Sequence, residues 1–205
     1  MRVHVPSAIG AAAIAFAMLG GSALAAPPVV RDHITSTGAA ASHTVCDGNI
    51  CTSTSVFVIV NDPDGPSQAC LDISRYEKTE IGFTPLGYET GCAPLAEGAF
   101  SIDPKGLGSA SLSSVDITVE VFTCDGTGCD PAGTRTVEVS ASYIGVGDLI
   151  TFRSNGKSSF GGCSMYFVGK GSEREATATL TIDGQSLAAT GYLAASTQKI
   201  KVLCH

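Results

Sequence analysis

Val115-Asp116-Ile117-Thr118-Val119-Glu120-Val121 alternates branched apolar and polar side chains without a break. Successive side chains of a β-strand point to opposite faces, so this stretch places four branched residues on one face and three polar ones on the other. Working outward, Val137, Val139, Ala141 and Tyr143 alternate with Glu138, Ser140 and Ser142. Ala176, Ala178, Leu180 and Ile182 alternate with Thr177, Thr179 and Thr181, and Ile200 and Val202 with Lys199 and Lys201. Val56-Phe57-Val58-Ile59-Val60 is apolar throughout and predicts a strand covered on both faces. Between these runs stand Asp62-Pro63-Asp64-Gly65, Asp103-Pro104-Lys105-Gly106, Asp130-Pro131-Ala132-Gly133 and Asp183-Gly184, the residue types of tight turns. Outside the first 25 residues no window holds a capped 3.6-residue apolar period. Short strands separated by turns mean a sandwich or a barrel, and the expected class is all-β, an immunoglobulin-like β-sandwich.

Two echoes suggest internal duplication. Cys46-Asp47-Gly48-Asn49-Ile50-Cys51 recurs as Cys124-Asp125-Gly126-Thr127-Gly128-Cys129, and Phe100-Ser101-Ile102-Asp103 with Leu107 recurs as Leu180-Thr181-Ile182-Asp183 with Leu187. The order agrees and the offsets, 78 and 80, are nearly equal, although Asp148 stands where a counterpart of Cys70 would fall. The expected organisation is a leader over 1–25, a flexible spacer over 26–44, and β-sandwich repeats over 45–123 and 124–205. Pro27, Pro28 and the small residues Gly38 to Ser42 motivate the spacer. The halves are tandem or pseudo-symmetric; pattern alone leaves open whether they form two small sandwiches or one.

The leader has the order of a secretory signal peptide. Arg2 supplies a positive charge, an apolar run spans Ala8 to Leu19, and Ser22-Ala23-Leu24-Ala25 puts small residues before a cut near Ala25–Ala26. That run is too short for a good membrane span, so no span is expected in the mature chain. Export makes the eight cysteines a disulfide set: Cys46, Cys51, Cys70, Cys92, Cys124, Cys129, Cys163 and Cys204. The expected pairing is Cys46–Cys51, Cys70–Cys92, Cys124–Cys129 and Cys163–Cys204, one of 105 possible sets. Zinc fits poorly, because the close pairs have four intervening residues and His33, His43 and His205 lie at the chain ends. Without Arg2 the chain carries 11 basic against 19 acidic side chains, a net charge of −8. A uniformly acidic protein repels phosphate backbones, so nucleic acid is not an expected partner.

Gly108-Ser109-Ala110-Ser111-Leu112, upstream of the Cys124 and Cys129 pair, resembles a run in the antitumour apo-chromoproteins related to neocarzinostatin. These are small secreted immunoglobulin-like sandwiches with a similarly spaced bridge between sheet strands. The resemblance stops at Cys129 and implies a fold alone, with no ligand site carried over.

No catalytic, cofactor or metal constellation stands out. A Ser-His-Asp or Cys-His site needs a base beside its nucleophile, and the histidines fall in the spacer or at the terminus. Glu89, Glu97, Glu120, Glu138, Asp148 and Glu173 could supply a carboxylate pair for glycoside hydrolysis, but Glu120 and Glu138 alternate outward. Asn61, Asp62, Asp64, Asp125 and Asp130 offer oxygen ligands without the spacing of a calcium loop, and turn chemistry explains them. Threonines 177, 179 and 181 form a short outward row read as a solvent face. Tyr76, Tyr88, Tyr143, Tyr166 and Tyr192 could form sugar platforms, though each suits a core edge. The expected function is therefore non-enzymatic: a secreted protein with a binding, adhesion or structural role, its partner a protein, glycan or small molecule. The alternatives are a carrier of a small apolar ligand, lined by residues such as Phe83, Phe152, Tyr166 or Phe167, and a secreted hydrolase inhibitor presenting the Cys124–Cys129 hairpin.

Overall fold

The computed structural model describes residues 29–62 and 67–204; the proposed leader, the start of the expected spacer, most of the turn expected over Asp62–Gly65 and His205 lie outside them. The described residues form ten strands: β1 (Val29–Asp47), β2 (Ile50–Asp62), β3 (Gln68–Thr79), β4 (Gly82–Pro94), β5 (Phe100–Ile102), β6 (Ser109–Cys124), β7 (Cys129–Gly145), β8 (Ile150–Phe160), β9 (Cys163–Ile182) and β10 (Gln185–Cys204). Among the described residues no helix is long and apolar enough to cross a membrane.

All pairings are antiparallel, and eight strands close on themselves in the order β1-β2-β3-β4-β6-β7-β9-β10, with β10 returning to β1. The short β5 adds to β6, and β8 adds to β9. Each strand of the ring neighbours its predecessor in the ring. The result is a meander, whereas an immunoglobulin-like sandwich divides its strands between two sheets with Greek-key connections. Hairpin turns account for this order: Asp183 and Gly184 both take positive φ (48° and 79°) in the two-residue β9–β10 turn, the backbone such a hairpin needs.

The alternation read in β6, β7 and β9 places side chains as expected. Ile117, Val119, Val137, Val139 and Leu180 are buried in the ring's interior with Val56, Leu71 and Leu193, while Asp116, Thr118, Glu120 and Glu138 face out.

Four expectations need correction. Residues 29–44, expected in the flexible spacer, belong to β1, which is held between β2 and β10. Its apolar signal is weak because Ala39 and Ala41 enter the core where neighbouring strands supply the bulk. Residues 56–60 are covered on one face only: Val56 and Val58 are buried, but Phe57 and Ile59 are about two-fifths exposed. Asp130-Pro131-Ala132-Gly133 is a bulge inside β7, where Val121 opposes Gly133 and Phe122 opposes Pro131, leaving Ala132 without a partner. The repeat boundary expected at Cys124 falls within the continuous β6–β7 hairpin, so the chain cannot divide there without splitting a ladder.

The disulfides have the expected pairing, each joining directly opposed residues of neighbouring strands. Cys46–Cys51 and Cys124–Cys129 close the β1–β2 and β6–β7 turns. Cys70–Cys92 joins the start of β3 to the end of β4, and Cys163–Cys204 joins the start of β9 to the end of β10. The runs β1–β4 and β6–β10 thus carry their bridges in the same order.

Candidate functional site

Beyond the ring, four strands continue as an arm. β2 joins β1 only from Thr35 onward, and β7 joins β9 only from Ala176 onward. The remaining lengths of β1, β10, β9 and β8 pair with one another in that order, from Ile150↔Glu173 to Cys204↔Cys163. At about 3.4 Å per residue this sheet projects roughly 30 Å, and Cys163–Cys204 bridges its tip.

Register fixes what each face of the arm carries, because directly opposed residues point the same way. One face bears Phe152, Met165, Phe167, Ile200 and Ile34. Gly171 lies opposite Phe152 and Gly156 opposite Phe167; a Cβ at Gly171 would come within 2.4 Å of the Phe152 ring, and one at Gly156 within 2.2 Å of Phe167. Glycine is required at both places so that the rings can lie across the neighbouring strand. This aromatic-on-glycine packing holds the arm together from one side.

The opposite face is cationic. Its rows read Thr197–Lys170–Arg153, then His33–Lys199–Val168–Asn155, then Lys201–Tyr166–Lys157. Arg153, Lys157, Lys170, Lys199 and Lys201 are all exposed, five of the chain's 12 lysines and arginines. Among the described residues no aspartate or glutamate shares this face. Lys157 Nζ lies 5.2 Å from the centre of the Tyr166 ring, within cation–π range. Arg174, at the base of the arm, donates to the Gly147 and Gly106 carbonyls and so anchors the arm to the ring. The charge is therefore not uniformly acidic: a net −7 molecule concentrates cations on one surface.

A second feature is a hollow of about 460 Å³ beside the β3–β4 bulge, lined by Arg75, Tyr76, Phe83, Pro85 and Tyr88. Tyr76 and Phe83 meet edge to face at 5.2 Å, and Tyr88 stacks on Phe122 at 4.4 Å. A shallower one, about 290 Å³, lies beside His43, whose Nδ1 is 2.7 Å from the Ala188 carbonyl.

The residues weighed for chemistry are scattered. Glu89 is engaged by Arg135, which also pairs with Asp183 at the hairpin end of the ring (2.7 and 3.0 Å). Burial opposes the Arg135 charge, but the two carboxylates outweigh it and raise its pKa. Glu138 accepts from Ser114. Glu97, Glu120 and Asp148 are exposed, while Glu173 is half-buried opposite Ile150. His33 and His43 sit in β1, one on the arm and one near the hairpin end. The Asp125 carboxylate accepts from the Thr127 hydroxyl and the Thr127 and Gly128 amides, which lower its pKa and make it a turn residue. Among the described residues no group of three or more His, Cys, Asp or Glu side chains is placed to hold a metal ion. Of the proposed ligand-lining aromatics, Phe83 is in the hollow, Phe152 and Phe167 share the arm's apolar face, and Tyr166 is on the cationic one. Tyr143 is in the core.

Sequence reasoning missed the cationic face. Lys199-Ile200-Lys201 and Arg153-Ser154-Asn155-Gly156-Lys157 carry cations two and four positions apart, on one face of a strand in each case, a usable signal. Joining them with Lys170 required knowing that β8, β9 and β10 lie side by side. Compared with protein-family models, curated proteins and solved structures, the chain matches none.

Proposed function

We propose that this chain is an exported, non-catalytic β-protein that acts by binding, adhesion or structural support outside the cell or at its surface. The observation that carries the proposal is the arm: four strands extend past the packed core and present a face on which five lysines and arginines are all exposed. Like charges gathered on one surface repel one another, and a bound partner of opposite charge relieves that repulsion. Four disulfides support an oxidising compartment. The matching bridge order in β1–β4 and β6–β10 supports an internally repeated body. The test is made on material secreted by the native host. Mass spectrometry should find the mature N-terminus near Ala26, and screens against glycan, ester and peptide libraries should show no turnover. Activity that disappears on mutating one carboxylate overturns the proposal, as does an intracellular, uncleaved chain.

The aromatic hollow favours a second reading, the carrier of a small apolar ligand held by Tyr76, Phe83 and Tyr88 on the outside of β3–β4. Native mass spectrometry of the secreted protein would then show bound ligand lost in Phe83→Ala.

A further inference from the structure

We propose that the cationic face of the arm binds an extended acidic polysaccharide; the proposal rests on the binding role argued above and names its partner class. Five exposed cations on three adjacent strands, without a carboxylate on the same face among the described residues, repel one another. Edge protection explains part of this pattern, since Arg153 and Lys157 lie on β8, whose outer side has no neighbouring strand, and charges on edges deter sheet-to-sheet pairing. It does not explain Lys170, Lys199 and Lys201, which lie on β9 and β10, strands paired on both sides. Those three need an anionic partner.

The residues between the cations indicate which anion. Thr197, Asn155 and His33 interleave hydrogen-bonding groups with the charges, and Tyr166 offers one partly exposed ring. Sugar hydroxyls and carboxylates use that mixture together. Single-stranded nucleic acid is held on successive stacking rings, and this face has one. Reading the bases of a double helix through its major groove takes an α-helix or a two-stranded ribbon, and the cations of this face are spread over a wider sheet. Neighbouring strands lie about 4.8 Å apart and alternate residues about 7 Å apart along a strand, so the cations form a two-dimensional lattice suited to an extended chain laid across it.

The test measures binding of polygalacturonate to the purified full-length secreted protein by calorimetry, with its fully methyl-esterified form and a DNA oligonucleotide of equal charge as comparisons. Expected are binding to polygalacturonate that weakens about tenfold or more as salt rises through the physiological range, and no binding of the ester. Lys199→Gln with Lys201→Gln should weaken it roughly tenfold, and Lys157→Gln with Lys170→Gln similarly. Lys78→Gln with Lys105→Gln removes the same charge elsewhere and should leave binding unchanged. Equal or tighter binding of DNA overturns the assignment to polysaccharide. Equal losses in all three double variants overturn the assignment to the arm, and head-to-tail self-association abolished by the arm variants would make a second copy the partner. A protein that is exported and without turnover, yet does not bind polygalacturonate, sinks this proposal and leaves the broader one standing.

Discussion

Replacing Tyr143 by phenylalanine should stabilise the protein. Tyr143 is 1% exposed, and its hydroxyl is a buried polar atom without a hydrogen-bond partner. Ala110 on β6 and Ala178 on β9 lie directly opposite it, and their small side chains leave room for the ring. Burying an unpaired hydroxyl costs about 1–3 kcal/mol. Deleting the oxygen leaves a void the size of one atom, which returns about 0.3 kcal/mol of that cost at the usual price per unit of cavity volume. The expected net gain is about 1 kcal/mol, or roughly 2–4 °C in Tm for a domain of this size. Denaturant melts with disulfides intact measure it directly, and the slope against denaturant should not change. A second signature comes from alkaline pH. Burial raises the Tyr143 pKa, whereas the unfolded chain releases this proton near its ordinary value of about 10. Stability is therefore constant below about pH 10 and falls as pH rises from there toward the higher folded value, by about 1.4 kcal/mol per pH unit. The phenylalanine variant lacks that increment, so its advantage should widen above pH 10. Tyr143→Ala should cost about 3–5 kcal/mol and confirms that the ring itself is needed. A phenylalanine variant less stable than the parent at pH 7 would refute the reasoning, by showing that the hydroxyl has a bonded partner such as a buried water.

The disulfides should rank by the length of chain they close: replacing Cys163 and Cys204 by serine should cost about 4 kcal/mol, against about 2 kcal/mol for Cys124 and Cys129. Equal losses in guanidinium melts would contradict a loop-entropy origin. Asp183→Ala removes the Arg135 ion pair, the bond from the Glu138 amide and a residue suited to positive φ, and should cost about 1–2 kcal/mol; Asp183→Asn should lose less than half of that in the same melts. The Gly106 and Lys105 amides hold the Asp103 carboxyl below its usual pKa, as the Thr127 hydroxyl and amide do for Asp125. Each contribution is complete above the unfolded value near 3.9 and is lost as pH falls through the lower folded value. The stability gap between parent and Asp103→Asn or Asp125→Asn should thus narrow below about pH 4, and a gap constant to pH 2 would contradict it.

The sequence made the strands legible wherever one face is apolar and the other polar. β6, β7 and β9 were readable for that reason, because Val119 and Glu120, or Val139 and Ser140, differ strongly in burial. β1 was not readable, since Ala39 and Ala41 fill the core while Ala40 lies between Phe57 and Tyr192 on the outer face. Small residues are needed at such points, and small residues also compose linkers. The disulfide pairing was legible because two bridges are local and the remaining pairs follow the hairpins. Ring closure and the arm were not, because both depend on which distant strands become neighbours: the contact between β1 and β10 joins the two ends of the chain, and the cationic face takes one or two residues from each of three strands.

Closure between β1 and β10 also sets the order in which this molecule can be completed. Val29 is matched with Leu203, so the earliest strand to emerge waits for the last before its second edge is satisfied. Contacts so remote in sequence slow folding, and an unsatisfied edge invites pairing with another chain meanwhile. A polypeptide threaded across a membrane from its N-terminus would reach the far side with that edge open until synthesis and transit were both finished. For a chain exported in that way, holdases on the far side of the membrane, rather than ribosome-bound ones, would be the helpers such a topology calls for.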